Sequence, residues 1–250
     1  MTRDNSMQDM SSVQAVILAG GKGTRLKSVV ADRPKVLAEV SGKPFICHLL
    51  QFLASFGIRR AILCTGYMSE LVRDTLGDRQ AEISLEYSVE ADLLDTAGAV
   101  RLALPLISSD PVLVMNGDSF FAADLAAFYR EHKIRQACAS LMLGRVDDVS
   151  RYGSVLIDDD GKVLRFAEKQ FTKGAGLISA GIYLLGRGVL RQIPTGRPVS
   201  FEREVFPGLV GSGLYGHIAA GSFLDIGTPE SYAAAESFLS CIGQRQDRRE

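Results

Sequence analysis

Histidine is scarce and cysteine is scattered along this 250-residue chain. The four cysteines, Cys47, Cys64, Cys138 and Cys241, form no C-x-x-C pair, and the three histidines, His48, His132 and His217, lie far apart. That pattern argues against structural zinc and against a disulfide framework. His48 falls within an apolar helical pattern and reads as a packed side chain rather than a ligand. No apolar run reaches the roughly 18 residues that a membrane span needs, and the opening MTRDNSMQDMSS is polar rather than a secretory leader. A cytoplasmic protein with no membrane partner is expected. Neither sign of charge dominates: Lys and Arg number 28 against 29 Asp and Glu, for a net charge of −1. Nothing in that balance points to nucleic acid. Internal repeats and low-complexity linkers are absent. The glycine-rich turn at residues 19–25 has the spacing of neither of two common nucleotide motifs, the P-loop and the G-x-G-x-x-G fingerprint, which argues against a dinucleotide oxidoreductase.

What is present begins at residues 15–35, AVILAGGKGTRLKSVVADRPK. Val16, Ile17 and Leu18 suit a buried parallel strand, and Ala19, Gly20, Gly21, Lys22, Gly23, Thr24 and Arg25 follow as a glycine-rich, cationic turn. Glycines let backbone N–H groups approach phosphate oxygens, and a helix start expected near residues 24–26 adds partial positive charge. Arg25 and Lys35 add full charges. The plain alternative is a tight strand-to-helix connection.

The rest alternates. Apolar spacing predicts helices over residues 44–56, 69–76, 96–104 and 123–132, and strands over 60–66, 83–88, 111–115 and 137–143. Residues 153–157 and 163–167 flank Asp158-Asp159-Asp160-Gly161 as a hairpin. With 46% hydrophobic and 23% charged residues, the chain can bury the core of one α/β unit. The fold expected is a doubly wound, mostly parallel, Rossmann-like sheet with a small β-rich portion. One domain spans 13–240, divided into halves at 13–145 and 146–240, with tails at 1–12 and 241–250.

Ligands of open parallel sheets lie beyond the carboxyl ends of strands. The buried run Val112 to Met115 leads to Asn116, Gly117 and Asp118, placing Asp118 at such an end. A turn or helix-cap role is its plain alternative. Polyphosphate chemistry calls for Mg²⁺, which takes one or two carboxylates plus phosphate oxygens. Phe223-Leu224-Asp225-Ile226-Gly227-Thr228-Pro229 offers a second acid. Asp225 could instead cap a helix starting near Pro229.

Leu18 to Leu26, Pro34-Lys35 and Gly42-Lys43-Pro44 fall in the order of the sugar nucleotidyltransferase signature, L-A-G-G-x-G-T-R-L, then P-K, then G-K-P. The chain resembles that family over about residues 13–240. The resemblance implies that Asp118 and Asp225 bind the metal. It also implies that Arg25 and the glycine loop steady pyrophosphate, that Lys35 neutralises the reacting phosphates, and that Lys169 holds the sugar phosphate. Glu168 would meet sugar hydroxyls, with Tyr152, Gly153 and Ser179 lining the sugar pocket. Gln170 and Ser179 depart from the family's usual proline and asparagine, so sugar identity stays open.

Residues 90–99, EADLLDTAGA, resemble the family's base-recognition loop, implicating Glu90, Thr96 and Gly98, with Asn116 also at the nucleotide. A carboxylate at Glu90 suits the adjacent N1–H and N2–H₂ donors of guanine. A solvated loop charge is the alternative for Glu90, and Asp95 stands where glycine is common. Within the family the chain looks most like the D-glycero-α-D-manno-heptose 1-phosphate guanylyltransferases, whose products feed surface polysaccharide or glycoprotein. Mannose-1-phosphate guanylyltransferases and N-acetylmuramate-1-phosphate uridylyltransferases are the near alternatives. The expected partners are GTP and a sugar 1-phosphate, and a homodimer is left open. A regulatory homologue that binds nucleotide sugars without turnover is the reading from a different class.

Overall fold

Val16 and its neighbours Ala15 and Ile17 are buried on opposite faces of the first strand, which is why that strand carries no polar alternation. The computed structural model describes residues 10–21, 23, 25–26, 28–151, 154–167 and 174–246. In chain order the elements are β1 (Ala15–Leu18), β2 (Glu39–Val40), β3 (Lys43–Pro44), α1 (Phe45–Ser55), β4 (Arg60–Thr65), α2 (Ser69–Leu76), β5 (Arg79–Gln80), β6 (Ile83–Val89) and α3 (Asp95–Ala103). Then follow β7 (Val112–Asn116), β8 (Ser119–Phe121), α4 (Leu125–Ile134), β9 (Ala139–Val146), β10 (Ser154–Ile157), β11 (Val163–Ala167) and β12 (Gly176–Leu185). The chain continues with α5 (Arg187–Gln192), α6 (Phe206–Leu209), β13 (Leu214–Ile218), β14 (Phe223–Asp225), α7 (Pro229–Ala233) and α8 (Ala235–Gln246).

Among the described residues, ten strands form one sheet. Its centre is parallel: β1 pairs β7 on one side and β4 on the other, and β4 pairs β6. On the far side of β7, β12 runs antiparallel to both β7 and β9, and β13 lies parallel to β9. The expected hairpin forms, with β10 antiparallel to β11. Helices cover both faces, giving the mixed α/β fold with a mostly parallel centre that the alternation predicts. Ile17, Leu63 and Met115 pack on the α1 side with Leu49, Leu50 and Leu53, while Val16, Ile62 and Val114 pack on the α3 side with Val100 and Ala103. Each fully buried leucine of α1 contributes about 1.5–3 kcal/mol relative to an exposed one.

The parallel strands end at Leu18, Thr65, Val89 and Asn116 along one edge. The glycine loop, Gly66, Glu90 and Asp118 therefore emerge side by side. One expectation fails here. Among the described residues no helix starts at Arg25 or Leu26: Arg25, Leu26, Ser28 and Val29 are turn residues, with Leu26 N–H donating to Gly23 O at 3.0 Å and Val30 N–H to Leu26 O at 2.9 Å. Leu26 is tucked into the core, Val29 and Val30 are β-branched, and Pro34 blocks continuation, so the segment closes as turns.

Candidate active site

A cavity of about 370 Å³ opens at the carboxyl edge of the sheet. Leu18, Ala19, Gly20 and Gly21 form one wall, Glu90, Leu93, Asp95, Thr96 and Ala99 another, and Lys35, Asn116 and Asp118 a third. Most of the residues singled out at the nucleotide thus share one space. Gly23 lies beside it, where an added Cβ would sit 3.3 Å from the Lys35 Cβ. Gly98 is buried within α3 and packs against Leu94 and the Arg197 carbonyl rather than lining the cavity. Thr24, Tyr152, Gly153, Glu168, Lys169 and Gln170 lie outside the described residues.

Glu90 follows β6, and its N–H donates to Thr65 O at 2.8 Å, which turns the side chain under the glycine loop. It is 9% exposed. The solvated alternative therefore does not describe it. Two glycines make the room: a Cβ at Gly20 would lie 2.5 Å from Glu90 Oε1, and one at Gly66 would lie 2.8 Å from Glu90 Cγ. Leu94 N–H donates to Glu90 Oε2 at 3.0 Å. Burial pushes the carboxyl above its ordinary range; the Leu94 bond opposes this and the Asp95 charge adds to it. Gly66→Ala should displace Glu90, raising the KM for the nucleotide expected here about tenfold with an unchanged circular dichroism spectrum. An unchanged KM would show that the carboxylate's place does not matter.

The two candidate metal acids are brought together by a ribbon invisible in the pattern of apolar residues. β8 pairs antiparallel with β14, setting Asp225 opposite Ser119, and Ile226 N–H donates to Asp118 O at 3.0 Å. Lys35 Nζ stands 2.5 Å from Asp118 Oδ2, with the lysine side chain 13% exposed and the aspartate 36%. Asp225 is less open. Burial first and the Asp118 charge second raise its pKa; Lys35, the Gly227 N–H and Arg25 pull it down. The four charged groups therefore feel one another. Asp225 does not cap the following helix, because Thr228 does so in a reciprocal pair with Ser231. The donor set suits magnesium, which takes one or two carboxylates and fills its remaining positions with phosphate oxygens and water. Among the described residues no cluster of three or more metal-ligating side chains occurs.

The first amides of α3 are not free for phosphate. Ala97 N–H and Gly98 N–H both donate to Val199 O, and Thr96 N–H donates to Asp95 Oδ1 at 2.7 Å. Asp95 holds a positive φ of 60°, in the region that glycine enters more easily. Its other oxygen pairs with Arg203. A π-helical turn at Phe201–Val205 thus packs against Asp95 and Thr96 at the start of α3. Its Glu202 was not anticipated. In sequence Phe201-Glu202-Arg203-Glu204 reads as an ordinary charged run, yet Glu202 accepts from Tyr183, Thr96 and Ser200. Cys64 lines the cavity but is buried, and burial pushes its thiol up to about 12, so it is no nucleophile. His48 is half-buried and bonds Val40 O at 2.9 Å, as a packed side chain should.

This arrangement, a glycine loop and paired acids at a parallel sheet edge, coincides with a family match: residues 14–241 fit the Nucleotidyl transferase family. The chain belongs to that family. The enzyme is 38% identical over 231 residues to a mannose-1-phosphate guanylyltransferase of Mycobacterium tuberculosis, covering 91% of this chain and 64% of that one. The chain thus spans just under two thirds of the mycobacterial relative. It is 34% identical to a D-glycero-alpha-D-manno-heptose 1-phosphate guanylyltransferase of Aneurinibacillus thermoaerophilus, covering 91% of this chain and 98% of the relative. The crystal structure of HddC from Yersinia pseudotuberculosis superposes with a TM-score of 0.81 at 34% identity, over 90% of this nucleotidyltransferase and 98% of HddC. The same protein complexed with GMP-PN gives a TM-score of 0.78 at 32% identity. Among the described residues no helix is long and apolar enough to cross a membrane.

Proposed function

We propose that this nucleotidyltransferase is a guanylyltransferase that joins GTP to D-glycero-α-D-manno-heptose 1-phosphate, forming GDP-heptose and pyrophosphate. The observation that carries the guanine assignment is the buried, glycine-cradled carboxylate of Glu90, an acceptor pair in the cavity wall. Adenine and uracil present no two adjacent donors to such a group. The heptose assignment draws on the heptose-phosphate relative, 98% of whose length this chain covers. Mannose 1-phosphate is the second reading, favoured by the higher identity of the mycobacterial relative.

In the reaction a sugar-phosphate oxygen attacks the α-phosphorus of GTP, the bond to the β-phosphate oxygen breaks, and pyrophosphate leaves. The attacking oxygen is already anionic at neutral pH, so no residue need take a proton. Asp118 and Asp225 would hold Mg²⁺, which supplies charge neutralisation to the nucleotide phosphates when bound. Lys35, beside Asp118, would neutralise the reacting phosphates, Arg25 and the Gly20–Gly23 loop would steady pyrophosphate, and Lys169 would hold the acceptor phosphate. In this reading residues 13–145 serve the nucleotide and 146–240 the sugar phosphate. The reaction runs in the cytoplasm, where GTP is available.

Pyrophosphate release with GTP and Mg²⁺, compared between heptose 1-phosphate and mannose 1-phosphate, tests the acceptor. A kcat/KM at least about tenfold higher for the heptose is expected, the scale of one well-placed contact. The reverse order would transfer the assignment to mannose.

A further inference from the structure

The long strand β12 breaks register between Ser179 and Tyr183 where it pairs with β9. Gly181 makes the break possible: its φ is +71°, and a Cβ there would sit 2.5 Å from Asn116 Nδ2. The bulge thus leans on a residue of the cavity wall. It leaves Ser179 half-buried, with its hydroxyl 3.3 Å from the Tyr183 hydroxyl. Tyr183 itself is fully buried among Phe201 and Phe206, and its O–H lies 2.8 Å from Glu202 Oε1.

Directions follow from chemistry. An ionised carboxylate only accepts, so the single Tyr183 proton goes to Glu202. The phenol keeps that proton, since burial and then the Glu202 charge raise its pKa well above the ordinary value. The Tyr183 oxygen is left as an acceptor and the Ser179 O–H donates to it, while the Ser179 oxygen accepts from Gly181 N–H at 3.4 Å and keeps one lone pair free. Glu202 Oε2 is occupied on its other side by Thr96 Oγ1 at 3.3 Å and Ser200 Oγ at 3.2 Å, and Thr96 Oγ1 in turn accepts from Phe201 N–H at 2.9 Å. Every donation runs toward Glu202. The carboxylate of Glu202 therefore fixes the chain from two sides, one of them the base loop.

We infer that Glu202, acting through Tyr183, commits the only proton of Ser179 inward, so that Ser179 meets the acceptor sugar as a hydrogen-bond acceptor and selects a sugar hydroxyl that donates. Glu202 and Tyr183 are positioning residues, and Ser179 is the reader. The inference rests on the proposed function, in which residues 146–240, Ser179 among them, serve the sugar phosphate. An asparagine at this position would offer a donor and an acceptor. Serine with its proton withdrawn offers one role only, and a fluorine or carbonyl oxygen placed there would face it acceptor to acceptor.

The test uses the full chain with GTP, Mg²⁺ and either mannose 1-phosphate or its 2-, 3-, 4- and 6-deoxyfluoro analogues, read as kcat/KM for pyrophosphate release. At one position the wild type should favour hydroxyl over fluorine by about tenfold or more. Tyr183→Phe, which keeps the buried ring, frees the Ser179 proton to turn outward, and that ratio should fall by about fivefold or more. Ser179→Ala removes the reader without touching the core, and the ratio should fall likewise; it decides the question if Tyr183→Phe does not fold. Active variants with the wild-type ratio at every position would overturn the relay while leaving the function standing. Absence of turnover by the wild type with GTP and with both heptose and mannose 1-phosphates would instead overturn the functional reading, and this inference with it.

Discussion

Asp118→Asn should lower kcat for pyrophosphate release by about 10²–10³-fold, the scale of removing one preorganised charge from a reacting centre. The substitution keeps shape and removes only the charge that Lys35 approaches at 2.5 Å. Melting temperature should stay within a few degrees, because the side chain is partly exposed and such ion pairs contribute roughly 0–1 kcal/mol. Asp225→Asn should match the kinetic loss. Its carboxylate is half-buried beside Asp118, so removing its charge relieves repulsion and should not destabilise the fold. The double variant should lose little more than either single one, since the acids act as a unit. Losses below about fivefold in both single variants would remove the paired acids from the chemistry.

Glu90→Gln carries the second large effect. Glutamine replaces one of two acceptors with a donor, so one of guanine's two donors meets another donor, and kcat/KM for GTP should fall by about 10²-fold or more. Turnover with ATP or UTP should not fall. Stability has the opposite sign. Burial raises the Glu90 pKa above its ordinary value, so Glu90 contributes stability below the unfolded-state pKa and loses it as pH rises through the folded one. At neutral pH the buried charge opposes folding, and Glu90→Gln should melt at the same temperature or higher. The same shift should make GTP binding weaken, on acidification, at a higher pH than an ordinary carboxylate would. A variant with undiminished GTP preference would place base recognition elsewhere.

Much of this site was legible because the chemistry sits where parallel strands end. Apolar runs at Val16–Leu18 and Val112–Met115 locate β1 and β7, and the polar residues that follow must then share an edge. Helix α2 appears over the expected residues, and α1 and α3 within one residue of expectation at each end, since their buried positions recur at helical spacing. Three features were hidden for physical reasons. β8 and β14 are three residues each, too short for any periodicity, yet their pairing brings Asp118 to Asp225. The turn at Arg25 and Leu26 resembles a helix start because loop glycines precede helices in many phosphate sites; the β-branched Val29 and Val30 and the stop at Pro34 work against one. Glu202 lies 106 residues from Thr96, and no local pattern reveals a hydrogen bond across that distance.

Initial rates of pyrophosphate release with Mg²⁺, a saturating sugar 1-phosphate and each of GTP, ATP, UTP, CTP and dTTP test the central claim most directly. A buried acceptor pair at Glu90 predicts a kcat/KM for GTP at least about 10²-fold above every other nucleotide. Equal or higher activity with UTP or dTTP would contradict it.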